Sequence, residues 1–347
     1  MTKRAAIILA GGKAQRFQSA PDKWVDTALA ELYGKPLIVH AIENIGDFVD
    51  EIIVVINENE NRKLNYTKTL EQYQIKNAKI TTDLKIDQLS GPIIAILTGL
   101  QYATADYCIT IPADVPLVNG KVAEYMFNQI KGSYVAVPMW PNGRLETLLM
   151  VLERKSTLEI ANALCRLGRS HPDDIIRAAM QVLFVSPLGQ IKVLDPQLKS
   201  FVNINSQEDL SQLQPRQAQG SLVEDLRLNL GSVPFDELPL LLKASFERNS
   251  FNFSEAARIF SECASNFDRQ DSFFWAAVSR ENEAKSWLSS AQGKMELFKD
   301  VKDAFLRAAR NYGLEAELYE KNKCYLLAER ANSDRLWCES KAQSLGS

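Results

Sequence analysis

Gly11-Gly12, with Arg16 four residues beyond and Lys23 seven beyond that, are the residues whose types and spacing first suggest chemistry. They stand in AAIILAGGKAQRFQSAPDK, Ala5 to Lys23, where an apolar run, Ala6–Ala10, ends at the two glycines. Glycines let a backbone approach an anion closely, and the N–H groups of such a turn and of the next helix start point at it. Spaced cations neutralise charge on a triphosphate without covalent chemistry. The pattern is neither the P-loop G-x-x-x-x-G-K-[ST] nor the dinucleotide loop G-x-G-x-x-G. A strand-to-helix turn that needs glycine for sterics alone would use the same pair.

Other residues join this loop. Asn57 follows the apolar run EIIVVI, Glu51–Ile56, where a short amide reads a base or sugar edge, or merely forms a turn. Asp83 ends Lys79–Thr82, eight residues before Gly91-Pro92 and the small-residue stretch IIAILTGL. It suits a purine edge as an acceptor, and Asp87 competes for that role. Asp114 lies in IPADVP after the apolar YCITI. Mg²⁺ takes oxygen ligands, one or two carboxylates plus nucleotide phosphates and water. Asp114 is the best metal-ligand candidate, the alternative being a turn cap. In FVNINSQEDL, Asn203 and Asn205 alternate along a short strand and so share a face. Ser206 caps the next helix, with Asp209 at the capping-box position. In GRSHPDDIIRAA, Arg169 offers a cation for phosphate; a solvated helix start capped by Asp173 is the competing reading.

The elements that must position these residues alternate through 1–212. Candidate strands are Ala5–Ala10, Glu51–Ile56, Lys79–Thr82, Asp106–Ile111, Tyr134–Pro138, Leu148–Leu152 and Val182–Val185; candidate helices are Pro36–Gly46, Pro92–Ala103 and Gly120–Lys131. Continuous apolar runs mean strands buried on both faces. The alternation predicts an α/β domain with a doubly wound, mostly parallel sheet, whose ligand binds at the carboxyl ends of the strands. A Gln/Ser/Pro-rich linker, 213–221 within SQLQPRQAQGS, leads to a helical domain, 222–347. There Phe253, Ala256, Ala257, Phe260, Ala264 and Phe267 fall on one helical face. Phe298, Val301, Phe305, Ala309 and Tyr312 repeat that face 45 residues on. Second helices at Ser272–Leu288 and Leu314–Ala331 would make a duplicated helical hairpin, of tetratricopeptide type or a plain bundle.

Composition excludes several classes. A net charge of −3 provides no bulk field for nucleic acid or anionic membrane. No apolar stretch reaches the roughly 18 residues of a membrane span, and the apolar run after Met1–Arg4 is too short for a signal peptide. A cytoplasmic protein is expected, its five scattered cysteines reduced. With only two histidines, a His-rich metal site or a Ser-His-Asp hydrolase is not expected.

LAGGKAQR, the later DK, YGKPLI, SGPIIAILTGL, IPADVP and FVNINSQEDL occur in this order over residues 4–212. As a set they resemble the molybdenum cofactor guanylyltransferases, MobA-like members of the GT-A-like (Rossmann-like) nucleotidyltransferases. The resemblance implies a GMP transfer from GTP to the phosphate of molybdopterin, with Mg²⁺ and release of pyrophosphate. It assigns Leu9, Ala10, Gly11 and Gly12 to the nucleotide, Arg16 and Lys23 to its phosphates, Asn57 and Asp83 to guanine-nucleotide contacts, and Asp114 to Mg²⁺ and nucleotide. Asn203 and Asn205 fall to the acceptor. In-line attack by a charged phosphate oxygen needs no general base, which suits the shortage of histidine. Departures are Phe17–Pro21 in place of a Met-Gly-Gly before DK, and an added WVDTALAEL, Trp24–Leu32, before YGKP. Two enzymatic alternatives keep the fold: a CTP-dependent molybdopterin cytidylyltransferase, and a guanylyltransferase for another phosphorylated acceptor. A third, of another class, is a nucleotide-sensing protein-binding module. Residues 222–347 are expected to dock a protein partner.

Overall fold

The computed structural model describes residues 2–12, 26–86, 89–211, 213, 223–291 and 297–345. Arg16, Lys23, Asp87 and nearly all of the 213–221 linker lie outside the described residues. The chain forms two compact units. One comprises Met1–Ala161, Ser170–Pro172 and Gln181–Arg227; the other comprises Asn162–Arg169, Asp173–Met180 and Leu228–Ser347.

The first unit is built on a mixed sheet. Its strands are β1 (Arg4–Leu9), β4 (Glu51–Ile56), β5 (Ala78–Thr82), β6 (Tyr107–Pro112), β7 (Val135–Pro138), β8 (Val151–Glu153) and β9 (Gln181–Val185), with β10 (Leu226–Asn229) at the edge. A two-stranded hairpin, β2 (Glu31–Leu32) and β3 (Lys35–Pro36), stands apart. The sheet order is β10-β9-β7-β8-β6-β1-β4-β5. β1 pairs in parallel with both β4 and β6, so Ile8 lies beside Val54 on one side and Ile111 on the other. β8 runs antiparallel between β6 and β7. Apolar runs such as AAII and IIVVI are buried throughout, as expected for strands covered on both faces. The expected strand Leu148–Leu152 starts late, at Val151, because a turn closed by Leu149 N–H on the Glu146 carbonyl (2.8 Å) occupies its beginning.

Helices α1 (Leu37–Ile45), α3 (Pro92–Tyr102) and α4 (Gly120–Gln129) lie where the apolar periodicity put them. α2 (Glu60–Gln72) was not anticipated: only Arg62, Tyr66 and Leu70 of its thirteen residues are buried, a stripe too narrow to stand out in a polar sequence. Asn59 caps it, accepting from Arg62 N–H at 3.0 Å. α5 (Arg154–Arg166) and α6 (Asp173–Ala179) follow, then the short α7 (Lys192–Leu194) and α8 (Gln207–Ser211). Ser206 and Asp209 form the expected cap: Ser206 Oγ accepts from Asp209 N–H (3.2 Å), and the Asp209 carboxylate accepts from Asn205 N–H (2.8 Å).

In the second unit run α9 (Leu238–Asn249), α10 (Phe253–Asp268), α11 (Phe273–Ala291), α12 (Phe298–Lys321) and α13 (Tyr325–Ser344). The predicted faces are real: Phe260, Ala264 and Phe267 of α10, and Phe305, Ala309 and Tyr312 of α12, are buried. The second hairpin is not a copy of the first. α12 runs 24 residues against 16 for α10, through the break expected near Leu314, because Glu315, Ala316 and Tyr319 continue its buried face. Among the described residues no helix is long and apolar enough to cross a membrane. All five cysteines are free and buried, and burial pushes their thiols up, Cys108 to about 12.

Arg169 is neither a phosphate cation nor part of a solvated helix start. Its guanidinium pairs with Asp174 (2.8 and 3.0 Å), Asp334 (2.8 Å) and Glu281 (3.4 Å) inside the second unit. Arg177 lies beside it, forked onto Glu315 at 2.7 Å through both Nε and Nη2, with Asp334 at 2.7 Å. Burial works against each guanidinium's charge, but Tyr312 and the carboxylates around Arg169, and the carboxylates around Arg177, outweigh it and hold both arginines well above their ordinary value. The polar composition of GRSHPDD had hidden this burial, since apart from Asp174 the carboxylates come from α11, α12 and α13, over a hundred residues away.

Candidate active site

Four successive parallel strands deliver the chemical residues. Asp83 follows β5, Asn57 follows β4, Ala10–Gly12 follow β1 and Asp114 lies two residues past β6, and the order β6-β1-β4-β5 sets these ends side by side. The chain moves from β1 to β4 and β5 on one side, then to β6 on the other, so a crevice opens where the connections diverge. A cleft of about 670 Å³ lies there, lined by Leu9, Ala10, Gly11, Gly12, Asn57, Asp83, Asp114 and Asn205. All the described nucleotide candidates therefore converge. Asn205 reaches the cleft and Asn203 does not line it. The expected strand around them is absent: Lys199–Phe201 is a 3₁₀ turn, and the next residues follow a loop, with Ile204 N–H donating to the Asp114 carbonyl at 2.8 Å.

Of Gly11 and Gly91, which both line the cleft, only the second is fixed by its backbone. A methyl on Gly11 would sit 3.5 Å from Asp83 Oδ2 and 3.5 Å from the Asn57 backbone nitrogen, in the space a ligand would enter. Gly91 opens α3 with φ +135°, a conformation side chains avoid.

The two aspartates carry the site's unspent polarity. Asp83 Oδ1 and Asp114 Oδ1 are buried and find no hydrogen-bond partner among the described residues. Burial raises the Asp83 carboxyl to about 6, with Arg62 opposing the rise. Burial also raises Asp114, against a backbone hydrogen bond that lowers it. Buried carboxylate oxygens are normally satisfied, so such atoms in a cleft mark places for a ligand's donors or a cation.

Arg62 is the residue that motif reading missed. It is buried, and its fork meets Asp26 through Nε (2.6 Å) and Nη2 (3.0 Å), the Asn57 side-chain oxygen through Nη1 (2.5 Å) and the Gly12 carbonyl through Nη2 (3.0 Å). The available signal was the Asn59 cap with Arg62, Tyr66 and Leu70 at four-residue spacing.

Residues 6–182 match a family described as the MobA-like NTP transferase domain. The chain belongs to this family. It is a nucleotidyltransferase of the molybdenum cofactor guanylyltransferase type. A probable molybdenum cofactor guanylyltransferase of Methanosarcina acetivorans is 30% identical over 211 residues, 60% of this chain and 89% of that protein. The molybdenum cofactor guanylyltransferase of Shewanella pealeana is 27% identical over 208 residues, 60% of this chain and 92% of that one. A solved structure from Archaeoglobus fulgidus, molybdopterin-guanine dinucleotide biosynthesis protein A, aligns at a TM-score of 0.48 and 20% identity, covering 60% of this chain and 95% of its own. In this MobA-like transferase the matched stretch holds the cleft residues from Leu9 to Asp114, while most of the helical unit lies beyond it.

Among the described residues no three His, Cys, Asp or Glu side chains form a metal cluster. A divalent cation would rest on Asp114 and on oxygens of the nucleotide. The unpartnered Asp114 Oδ1 fits that role, since Mg²⁺ is often bound through one or two carboxylates plus phosphates and water.

Proposed function

We propose that this transferase moves GMP from GTP onto the phosphate of molybdopterin and releases pyrophosphate. The observation that carries the reading is the pair of buried, unpartnered carboxylate oxygens of Asp83 and Asp114 in the cleft that Gly11-Gly12 floors. The names of the relatives support the substrates.

The chemistry follows from the placement. A phosphate oxygen of the acceptor attacks the α-phosphorus in line; the new P–O bond forms as the bond to the bridging oxygen breaks, and pyrophosphate leaves. A Mg²⁺ bound at Asp114 would supply charge neutralisation at the phosphates. Gly11 and Gly12 admit the nucleotide to the strand ends, with Leu9 and Ala10 beside it. Arg16 and Lys23 are assigned to the phosphates. Asp83, as an ionised acceptor, matches the N1–H and exocyclic amine of guanine; cytosine turns its N3 acceptor toward the same edge and meets repulsion. Asn205, which lines the cleft, is assigned to the acceptor.

The test is pyrophosphate release by the purified protein with Mg²⁺ and GTP, CTP, ATP or UTP, each with and without molybdopterin. Release with GTP that requires the pterin is expected. Release with CTP alone would overturn the base assignment, and release with no nucleotide would overturn the transfer reaction to this acceptor.

A further inference from the structure

We propose that Arg62 is a positioning residue that sets base selection: its guanidinium holds the Asn57 amide so that the cleft is offered N–H donors at that point. This inference rests on the guanine reading of the cleft.

The geometry leaves one orientation for the amide. Nη1 of Arg62 lies 2.5 Å from the Asn57 side-chain oxygen. A guanidinium has donors and no acceptor, so the amide must turn its oxygen toward it whichever way the two atoms are first assigned. With the oxygen engaged, the NH₂ group is the polar end of Asn57 left for a ligand in the cleft that Asn57 lines. Beside it, Asp83 brings an acceptor. A donor next to an acceptor complements the O6 and N1–H of guanine. Adenine carries its 6-amino group where O6 would be, and would set donor against donor.

Arg62 is itself anchored. Its fork is bidentate on Asp26, and both side chains are almost fully buried, at 2% and 4% exposure. Asp26 lies in the stretch just ahead of YGKP. There it also accepts from Ala28 N–H at 3.3 Å and caps the Thr27–Leu29 turn. Asp26 thus holds the arginine, and the arginine ties together Asp26, Asn57 and the Gly12 carbonyl. A planar fork spans three such partners; an ammonium group would not.

Arg62→Lys keeps a positive charge near Asp83 and removes the fork. Binding of GTP, ITP and ATP is measured by titration calorimetry with Mg²⁺ on the full chain, with a thermal melt as the folding control. ITP keeps O6 and lacks only the 2-amino group, so it reports on Asp83 and not on Asn57. The expected result is a GTP-over-ATP preference about tenfold smaller, the size of one lost hydrogen bond, with GTP-over-ITP unchanged. In an Asn57→Ala background the same change should leave the GTP-over-ATP ratio where Asn57→Ala alone puts it. Equal weakening of all three nucleotides, or an unchanged GTP-over-ATP ratio, would overturn the proposal. If Arg62→Lys does not fold, Asp26→Asn loosens the anchor and is expected to move the same ratio in the same direction; no movement there also overturns it. An unmutated protein without GTP preference would instead refute the guanine reading, and the inference falls with it.

Discussion

Replacing Asp83 with Asn should abolish a pH dependence that the native cleft imposes on nucleotide binding. Burial raises this carboxyl to about 6 and Arg62 only partly offsets the rise. The sign follows from linkage. The folded protein holds this proton more tightly than the unfolded chain, whose aspartate titrates near 3.9. The group therefore costs stability progressively as pH rises from about 4 to about 6, when the buried oxygen must charge without a partner. A ligand that donates to it needs the charged form. Near pH 7 about nine-tenths of the protein carries that form, and near pH 5 about one-tenth, so affinity should fall roughly tenfold between them. Binding near pH 6 should release about half a proton, since the ligand pulls the carboxyl down. Calorimetric titration in two buffers of different ionisation enthalpy reads that release directly. The nucleotide's own phosphates titrate in the same range, and the Asp83→Asn protein at each pH subtracts them. An identical pH profile in the variant, or no difference in proton release between the two proteins, would refute the role given to Asp83.

Asp114→Ala should lower pyrophosphate release by about a hundredfold or more while nucleotide affinity changes far less, because the cation that Asp114 would hold acts chiefly on developing charge; single-turnover and binding measurements side by side check this. Gly11→Ala should leave the melting temperature almost unchanged, since the methyl meets its neighbours at ordinary contact distance, yet weaken nucleotide binding by filling the approach to Asp83. Gly99→Ala should cost about 1–3 kcal/mol in a denaturant titration, because the methyl would overlap the Ile7 side chain in the core between α3 and β1. Arg177→Ala should destabilise the helical unit by about 3–5 kcal/mol, since it strands Glu315 and its neighbours as buried, uncompensated charge; proteolysis and urea unfolding read it.

The central strands that build the cleft were legible because burial on both faces leaves an apolar run, unbroken in Ile52–Ile56 and nearly so in Cys108–Ile111. Asn57, Gly11 and Asp114 could be read as site candidates because each follows such a run, and Asp83 because it follows the short strand Lys79–Thr82; parallel strands in one sheet bring their ends together. Three readings failed for reasons that run the other way. α2 buries only one narrow stripe, so its sequence resembles a polar connection. Asn203 and Asn205 were placed on a strand by their alternation, but the segment hydrogen-bonds to the Asp114 loop and only Asn205 lines the cleft. Arg169 lies among charged and polar neighbours in sequence, the pattern of a solvated turn, yet distant helices close over it.

Local pattern, then, was enough for everything that depends on short-range periodicity: the α/β alternation, the glycine turn, the acids at strand ends, the change to helices after the linker. It could not show partners that meet only when the chain folds. Arg62 is separated from Asp26 by 36 residues and from Gly12 by 50, and Arg177 from Glu315 by 138. Buried ions are tolerable only when opposite charge is built around them, and that charge comes from segments whose spacing along the chain carries no signal. Tertiary structure alone decided that Arg62 would line the cleft and that Arg177 would be sealed inside the helical unit.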